Sequence, residues 1–333
     1  MNIVVFGGSR FIGSRFIHAW NNRFNSIIVN VDKLTYAADQ SNLNSISSNK
    51  NYFFYNHDIN DTENIIKIIS KHKPDILINF AAETHVDNSI NSSYEFIKSN
   101  VMGTQSLLDI FKSYIMNYKS SNMIPPKFIQ VSTDEVYGDL SLEDDAFTET
   151  SPYRPNNPYS ASKASSEHLC MAYRNTYKLP IFITNCSNNY GPNQHLEKLI
   201  PKTIKCILNK SKMSVYGNGT NIRDWIYVDD HCDALINIAT GSPKCIKYNI
   251  GGNNEISNID IVKKICAEFK NNYHIDIIYE NLIEYVDDRP GHDFRYAIDN
   301  NLILNEFKWK PITNFNRGLK ATIDYYINKL NRQ

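Results

Sequence analysis

An excess of charge of either sign is missing from this chain. Among its 333 residues, 35 lysines and arginines face 35 aspartates and glutamates, leaving a formal net charge of +0. Such a balance excludes the basic excess that a nucleic-acid or anionic-membrane surface requires. No apolar run approaches the ~20 residues of a membrane span. The chain runs straight into a strand-like segment, so no secretory leader is expected. Cysteine is sparse, and the six, at 170, 186, 206, 232, 245 and 266, form no C-x-x-C pair. That scatter argues against a disulfide frame or a zinc site. It reads as small apolar fillers in a reducing, cytoplasmic setting, with no metal expected. Internal repeats, low-complexity tracts and long linkers are absent as well.

What is present is alternation. Strand patterns occur at "NIVVF" (2–6), "SIIVNVD" (26–32), "NYFFYNHD" (51–58), "DILINFAA" (75–82), "KFIQVST" (127–133) and "IFITNCS" (181–187). Helical stretches lie between them, at 14–24, at 61–72 with Asp61 as N-cap, at 93–117 and at 159–178. Nearly continuous apolar strands alternating with helices predict an α/β fold, a Rossmann-like, doubly wound parallel sheet covered on both faces. After residue 188 the rhythm loosens. Helices near 198–209 and 258–270 alternate with short strand candidates at 213–216, 246–250 and 275–279. The expected division is a sheet domain at 1–187 and a smaller α/β substrate-binding lobe at 188–333. Within the lobe, about 223–245 is expected to pack back on the sheet domain.

The first strand runs into "GGSRFIG" (7–13). A strand, a glycine-rich turn and a helix open dinucleotide-binding units. Gly7 and Gly13 hold the outer places of a three-glycine fingerprint, but the middle place is Arg10. The helix beyond would point its positive N-terminus at a diphosphate. Asp32 ends the second strand, nineteen residues past Gly13, where a carboxylate accepts hydrogen bonds from both ribose hydroxyls. The same charge repels a 2′-phosphate, so the pattern selects NAD over NADP. Asp58 and Ile59 end the third strand, at the place of an adenine edge. Phe80, Ala81 and Ala82 end the fourth, where small residues admit a flat ring. Arg10 loses the close backbone approach of a glycine but brings a guanidinium. The expectation is a retained NAD site with Arg10 near the phosphates or turned to solvent.

Thr133 closes the fifth strand. Tyr159 and Lys163 stand four apart at a helix start and share a face. Hydroxyl, tyrosine and lysine together suit oxidation of an alcohol by NAD. A phenol of pKa ~10 is a poor base near neutrality. A neighbouring ammonium and a nicotinamide's positive charge favour the phenolate, and a shift of about three units corresponds to roughly 4 kcal/mol. Lys163 would also hold the nicotinamide ribose. Asp134 and Glu135 follow Thr133 directly. Adjacent carboxylates at a strand end ordinarily mark a solvated turn, yet beside such a threonine they can divide acid and base work. Downstream, Arg223 and Arg289 offer planar forks for a diphosphate, and Tyr216 offers a ring for a pyrimidine base.

The chain as a whole resembles the extended short-chain dehydrogenase/reductases and, within them, the nucleotide-sugar 4,6-dehydratases of the dTDP-glucose type. The likeness is carried nearly end to end by "DKLTYA" (32–37), "AAETHVDNSI" (81–90), "STDEVYGDL" (132–140), "PYSASKASSEH" (158–168), "NCSNNYGP" (185–192) and "EKLIP" (197–201). It continues through "RDWIYVDDH" (223–231), "YNIGGNNE" (248–255) and "DRPGHDFRYAID" (288–299), the segments most specific to the subgroup. The resemblance implies a lyase with bound, recycled NAD, acting on dTDP- or UDP-glucose in rhamnose-type deoxysugar synthesis. It further implies a homodimer packed through the 93–117 and 159–178 helices.

For the residues, the resemblance implies Tyr159 as base toward the C4 hydroxyl, Thr133 polarising that oxygen, Glu135 taking the C5 proton and Asp134 protonating the departing C6 hydroxyl. Phe11 and Ile12 in the glycine turn, Lys33, Leu34 and Thr35 after Asp32, and Phe80, Thr84, Ser99 and Asn189 join Gly7, Gly13, Tyr159 and Lys163 around NAD. Thr84, Thr133, Asn188, Lys198, Leu199, Tyr216, Arg223, Asn258, Arg289 and His292 face the sugar nucleotide. A 4-epimerase or C6-decarboxylase of the same fold is the nearest rival, and Asp134–Glu135 speaks against the epimerase. A non-catalytic NAD-binding module is opposed by the complete Thr133–Tyr159–Lys163 set.

Overall fold

The computed structural model describes residues 1–118, 124–273, 278 and 281–330. In the first half, strands β1 (Ile3–Phe6), β2 (Ile28–Val31), β3 (Tyr52–Tyr55), β4 (Ile76–Asn79), β5 (Lys127–Thr133) and β6 (Ile181–Cys186) alternate with helices. These helices are α1 (Phe11–Arg23), α2 (Thr62–His72), α3 (Val86–Asn91), α4 (Tyr94–Phe96), α5 (Gly103–Met116) and α6 (Pro158–Tyr177). The second half runs β7 (Asn188–Tyr190), α7 (Leu199–Leu208), β8 (Met213–Tyr216), β9 (Ile222–Tyr227), α8 (Val228–Thr240) and β10 (Lys247–Ile250). It ends with β11 (Glu255–Ser257), α9 (Asn258–Asn272), β12 (Ile283–Val286), α10 (Asn301–Phe307) and α11 (Phe315–Leu330).

Seven strands join in the order β10-β6-β5-β4-β1-β2-β3, every neighbouring pair parallel. This is the doubly wound sheet that the apolar runs predict. On one face, α2, α5 and α6 bury Ile65, Leu107, Phe111 and Cys170 against Val4, Phe6, Leu77 and Phe128. On the other, α1 and α8 bury Phe16, Trp20, Cys232 and Leu235 against Ile3 and Val5. Fully burying such a side chain stabilises the fold by about 1.5–3 kcal/mol. A two-pronged pair between Arg15 and Asp229, at 2.8 and 2.6 Å, ties α1 to α8 at the surface.

Two strand candidates of the C-terminal half have different fates. Residues 213–216 form β8, paired with β12. Residues 247–250 do not stay in the lobe: β10 is the seventh strand of the main sheet, because all four of its residues are buried beside β6. The candidate at 275–279 lies, Ile278 apart, outside the described residues. The lobe has its own core, where α7, α9 and α11 bring together Ile200, Ile204, Val262, Ile265, Leu319 and Ile323. No helix among the described residues is long and apolar enough to cross a membrane.

The predicted 93–117 helix is broken. Residues Ile97–Met102 form a π-helical turn between α4 and α5. Such widened turns cluster at functional places. This one lets Asn100 hold the loop after β4: it accepts from the Glu83 amide at 2.8 Å and donates to the Glu83 carbonyl at 3.0 Å and to Ser162 Oγ at 2.8 Å.

Candidate active site

In an open parallel sheet the crevice for ligands lies beyond the carboxyl ends of the strands, where the winding reverses. Here that point is between β1 and β4. Gly7 leaves β1 with φ +76, and a Cβ on it would stand 2.6 Å from the Ala81 amide nitrogen. A Cβ on Gly13 would stand 2.4 Å from the Gly7 carbonyl oxygen. Both places need glycine. The middle place does not, since Arg10 has an ordinary extended backbone with φ −89. Its side chain is not turned to solvent. Nη1 donates to the Ala82 carbonyl, Nη2 donates to Thr35 Oγ1 at 2.7 Å, and Glu83 Oε2 lies 3.5 Å away. The guanidinium thus joins the loops after β1, β2 and β4.

A small pocket of about 30 Å³ collects Gly7, Asp32, Lys33, Thr35, Asp58, Ile59, Ala81, Ala82 and Ser99 beside Arg10. Asp32 is nearly buried and accepts the Ser9 amide at 3.0 Å and the Leu34 amide at 2.8 Å. Lys33 pairs with Asp58 at 3.3 Å. Leu34 does not line this pocket or the cavities described next. It is exposed, at φ +55, and serves Asp32 through its backbone. Glu83 and His57 are lining residues that the sequence reading had not placed in this pocket, whereas Arg10 takes the first of its two expected positions, inside the site. Only the fold brings Glu83 across from Arg10.

A second cavity, of about 230 Å³, continues from Gly7 and Arg10 along Phe11, Ile12, Gly13, Phe80, Ala82 and Thr84. It brings Thr133, Asp134 and Glu135 to Tyr159, Lys163, Asn188 and Asn189. β5 delivers Thr133, and a short turn at Asp134–Tyr137 follows it. The helix bearing Tyr159 and Lys163 starts on a capping box. Asn157 accepts the Ser160 amide at 2.9 Å, the Asn157 amide donates to Ser160 Oγ at 3.3 Å, and Pro158 occupies the first turn. The tyrosine and lysine therefore sit in the first turns of α6, one above the other.

The electrostatics here follow from burial. Asp134 is pushed well above the usual carboxylate range by burial, with Glu135 and Asp224 adding and Arg223 opposing. Burial raises Glu135 as well, against the pull of Arg289, Arg223 and Lys198. One oxygen of each, Asp134 Oδ2 and Glu135 Oε2, is buried without a hydrogen-bond partner. The expected lowering of the Tyr159 phenol is not what the protein alone imposes. Burial and the Glu135 charge push it well up. Lys163 is itself lowered by burial, and its ammonium donates to the Val131 carbonyl at 2.7 Å.

Thr84, Glu135, Asn188 and Lys198 line both this cavity and a third, of about 630 Å³, which opens toward the lobe. There stand Leu199, Tyr216, Arg223, Asn258, Arg289 and His292, together with Asp87 and Tyr296, which the sequence reading missed. Lys198 donates to the Thr84 carbonyl at 3.2 Å. The Tyr216 ring is 39% exposed rather than in the core, its hydroxyl donating to Asp87 Oδ2 at 3.0 Å. Arg223 is committed to the protein: it donates to the Ile222 carbonyl at 2.7 Å and the Asp293 carbonyl at 2.8 Å, and lies over the Tyr296 ring. Arg289 is freer, with Asp87 at 3.7 Å and a buried, unpartnered Nε. His292 meets Asp288 at 2.6 Å.

Fold and site together define the class of the extended short-chain dehydrogenase/reductases. Within that class, a family model described as GDP-mannose 4,6 dehydratase matches residues 4–322. The dTDP-glucose 4,6-dehydratase of Haemophilus influenzae is 46% identical over 333 residues, covering 98% of each chain. The crystal structure of dTDP-glucose 4,6-dehydratase from Bacillus anthracis in complex with NAD superposes with a TM-score of 0.88 at 40% identity, over 99% of this chain and 98% of that one. That of the Streptomyces venezuelae enzyme, also with NAD bound, gives 0.90 at 34% identity, over 100% and 98%. The chain belongs to the nucleotide-sugar 4,6-dehydratase family, alongside the dTDP-glucose 4,6-dehydratases.

Proposed function

We propose that this protein is an NAD-dependent hydro-lyase that converts dTDP-glucose to its 4-keto-6-deoxy derivative. The observation that carries the reading is the buried pair Asp134 and Glu135, each with an unpartnered oxygen, set beside Thr133, Tyr159 and Lys163. An epimerase has no use for two such carboxylates. The Gly7–Gly13 cradle, which a Cβ would fill, and the Asp32 carboxylate suit NAD. Bound there, NAD would supply the hydride acceptor for C4 of the glucose and the hydride donor for C6. Tyr159 takes the proton of the C4 hydroxyl while Thr133 holds that oxygen. Once C4 is a ketone, Glu135 removes the acidified C5 proton. Asp134, kept protonated by its burial, donates to the C6 hydroxyl, which leaves as water, and Glu135 then gives its proton back to C5 as C6 is reduced. Lys163 holds the cofactor's ribose, and Arg289 with Tyr216 holds diphosphate and base.

Glucose carrying deuterium at C4, supplied as dTDP-glucose, is expected to give product labelled at C6 with no net reduced nicotinamide. Product without label at C6 overturns the reading. The same assay with UDP-glucose, compared as kcat/KM, measures the choice of base.

The product suits deoxysugar synthesis of the rhamnose type, and the six cysteines, all free, suit a cytoplasmic setting. A homodimer is supported by large apolar side chains left exposed along α4–α5 and at the end of α6, namely Tyr94, Ile97, Met102, Met116 and Tyr177. Sedimentation at the mass of two chains is the expected result, and a single-chain mass refutes it.

A further inference from the structure

Glu167 is fully buried, yet the chemistry above makes no use of it. It lies on α6 four residues beyond Lys163, itself four beyond Tyr159, so the three side chains follow one face of the helix. Its Oε1 accepts from Ser132 Oγ at 2.5 Å and from Asn185 Nδ2 at 2.7 Å. Its Oε2 accepts from the Tyr153 hydroxyl at 2.5 Å, and Lys247 Nζ lies 4.0 Å away. Five parts of the fold meet on this carboxylate: α6, β5, β6, β10 and the loop before α6.

Two of these bonds lead to the reacting threonine. Ser132 is its neighbour in β5, and the Asn185 amide that bonds Glu167 also donates to the Thr133 carbonyl at 2.9 Å. We propose that Glu167 is a positioning residue: it fixes the Tyr159–Lys163 helix against the strand end bearing Thr133, and it sets a buried negative charge one helical turn from the Lys163 ammonium. The proposal rests on the roles given above to Tyr159 and Lys163.

The groups facing Lys163 are few. Glu167 and Cys170 come from its own helix, Cys186 from β6, and the Val131 carbonyl of β5 accepts its hydrogen bond. Burial disfavours the ammonium, and Glu167 is the largest opposing influence. A lysine whose charge is needed loses function as pH rises through its pKa. Removing the nearby anion lowers that pKa, so the loss must come at a lower pH.

Glu167→Gln keeps the shape and an acceptor but removes the charge. The test measures kcat/KM for dTDP-glucose and, without any sugar, the NAD Kd, both against pH. In Glu167→Gln the alkaline fall of both is expected about one pH unit lower than in wild type, roughly a tenfold loss at a fixed alkaline pH. Glu167→Asp, which keeps the charge, is expected to restore the wild-type position of that fall. Unmoved alkaline limbs in Glu167→Gln overturn the proposal, even if the variant melts earlier. Should Glu167→Gln not fold, Ser132→Ala cuts one of the two threads to Thr133. A lower kcat with intact NAD affinity supports the proposal, and a wild-type kcat refutes it. Wild-type protein that binds NAD but does not turn over dTDP-glucose refutes the assigned reaction alone, because the NAD profiles still decide on Glu167.

Discussion

Tyr159→Phe is expected to lower kcat by about 10³-fold or more, the scale of a lost general base, with NAD affinity within about twofold of wild type. The phenol is buried in the cavity that also holds Thr133 and Lys163, so its loss removes the proton acceptor for the C4 hydroxyl and little else. The protein alone raises this phenol, through burial first and the Glu135 charge second. A base in that setting needs positive charge brought to it, a part the proposed function gives to Lys163 and the oxidised nicotinamide. The variant is therefore expected to form no reduced nicotinamide in a single turnover. A kcat within tenfold of wild type removes Tyr159 from the reaction.

Glu135→Gln is expected to fail at a later step. C4 oxidation proceeds, the C5 proton stays, and reduced nicotinamide accumulates on the enzyme while dehydrated product falls by about 10²–10⁴-fold. Rapid-mixing absorbance separates this from the Tyr159 variant, which forms none. The pH dependence follows from the same burial. As the proposed base Glu135 works in its charged form, and its pKa is raised, so activity is expected to fall as pH drops through that raised value. Asp134 is the acid of the proposal, and burial raises its pKa well above the usual carboxylate range, which keeps its proton available. Because the two carboxylates are coupled, the acid limb belongs to the pair and to neither alone. Loss of the acid limb in Glu135→Gln is the expected mark. Turnover near the wild-type rate shows that the carboxylate is not the base.

Much of the site is legible as local spacing. A tyrosine and lysine four apart at a helix start share a face, and the capping box at Asn157 and Ser160 fixes that start. Asp61 is likewise legible as a cap, accepting the Asn64 amide at 3.4 Å. The less legible features depend on partners far along the chain. The 97–102 stretch has ordinary helical composition, and it widens where Asn100 meets Glu83 and Ser162. β10 reads as a lobe strand, and its place beside β6 is set by burial on both faces. Glu167 reads as one more polar residue in "SSEH", with nothing local to show that four side chains from elsewhere converge on it.

By itself the sequence determined the parallel sheet, the glycine places and the order Thr133, Asp134, Glu135, Tyr159, Lys163, because periodicity, φ demands and i,i+4 spacing act within a few residues. Only the tertiary structure decided where the charges point. Arg10 crosses to Ala82, 72 residues away, and Lys163 turns to Val131, 32 residues away, because each buried donor must find an acceptor wherever the fold supplies one.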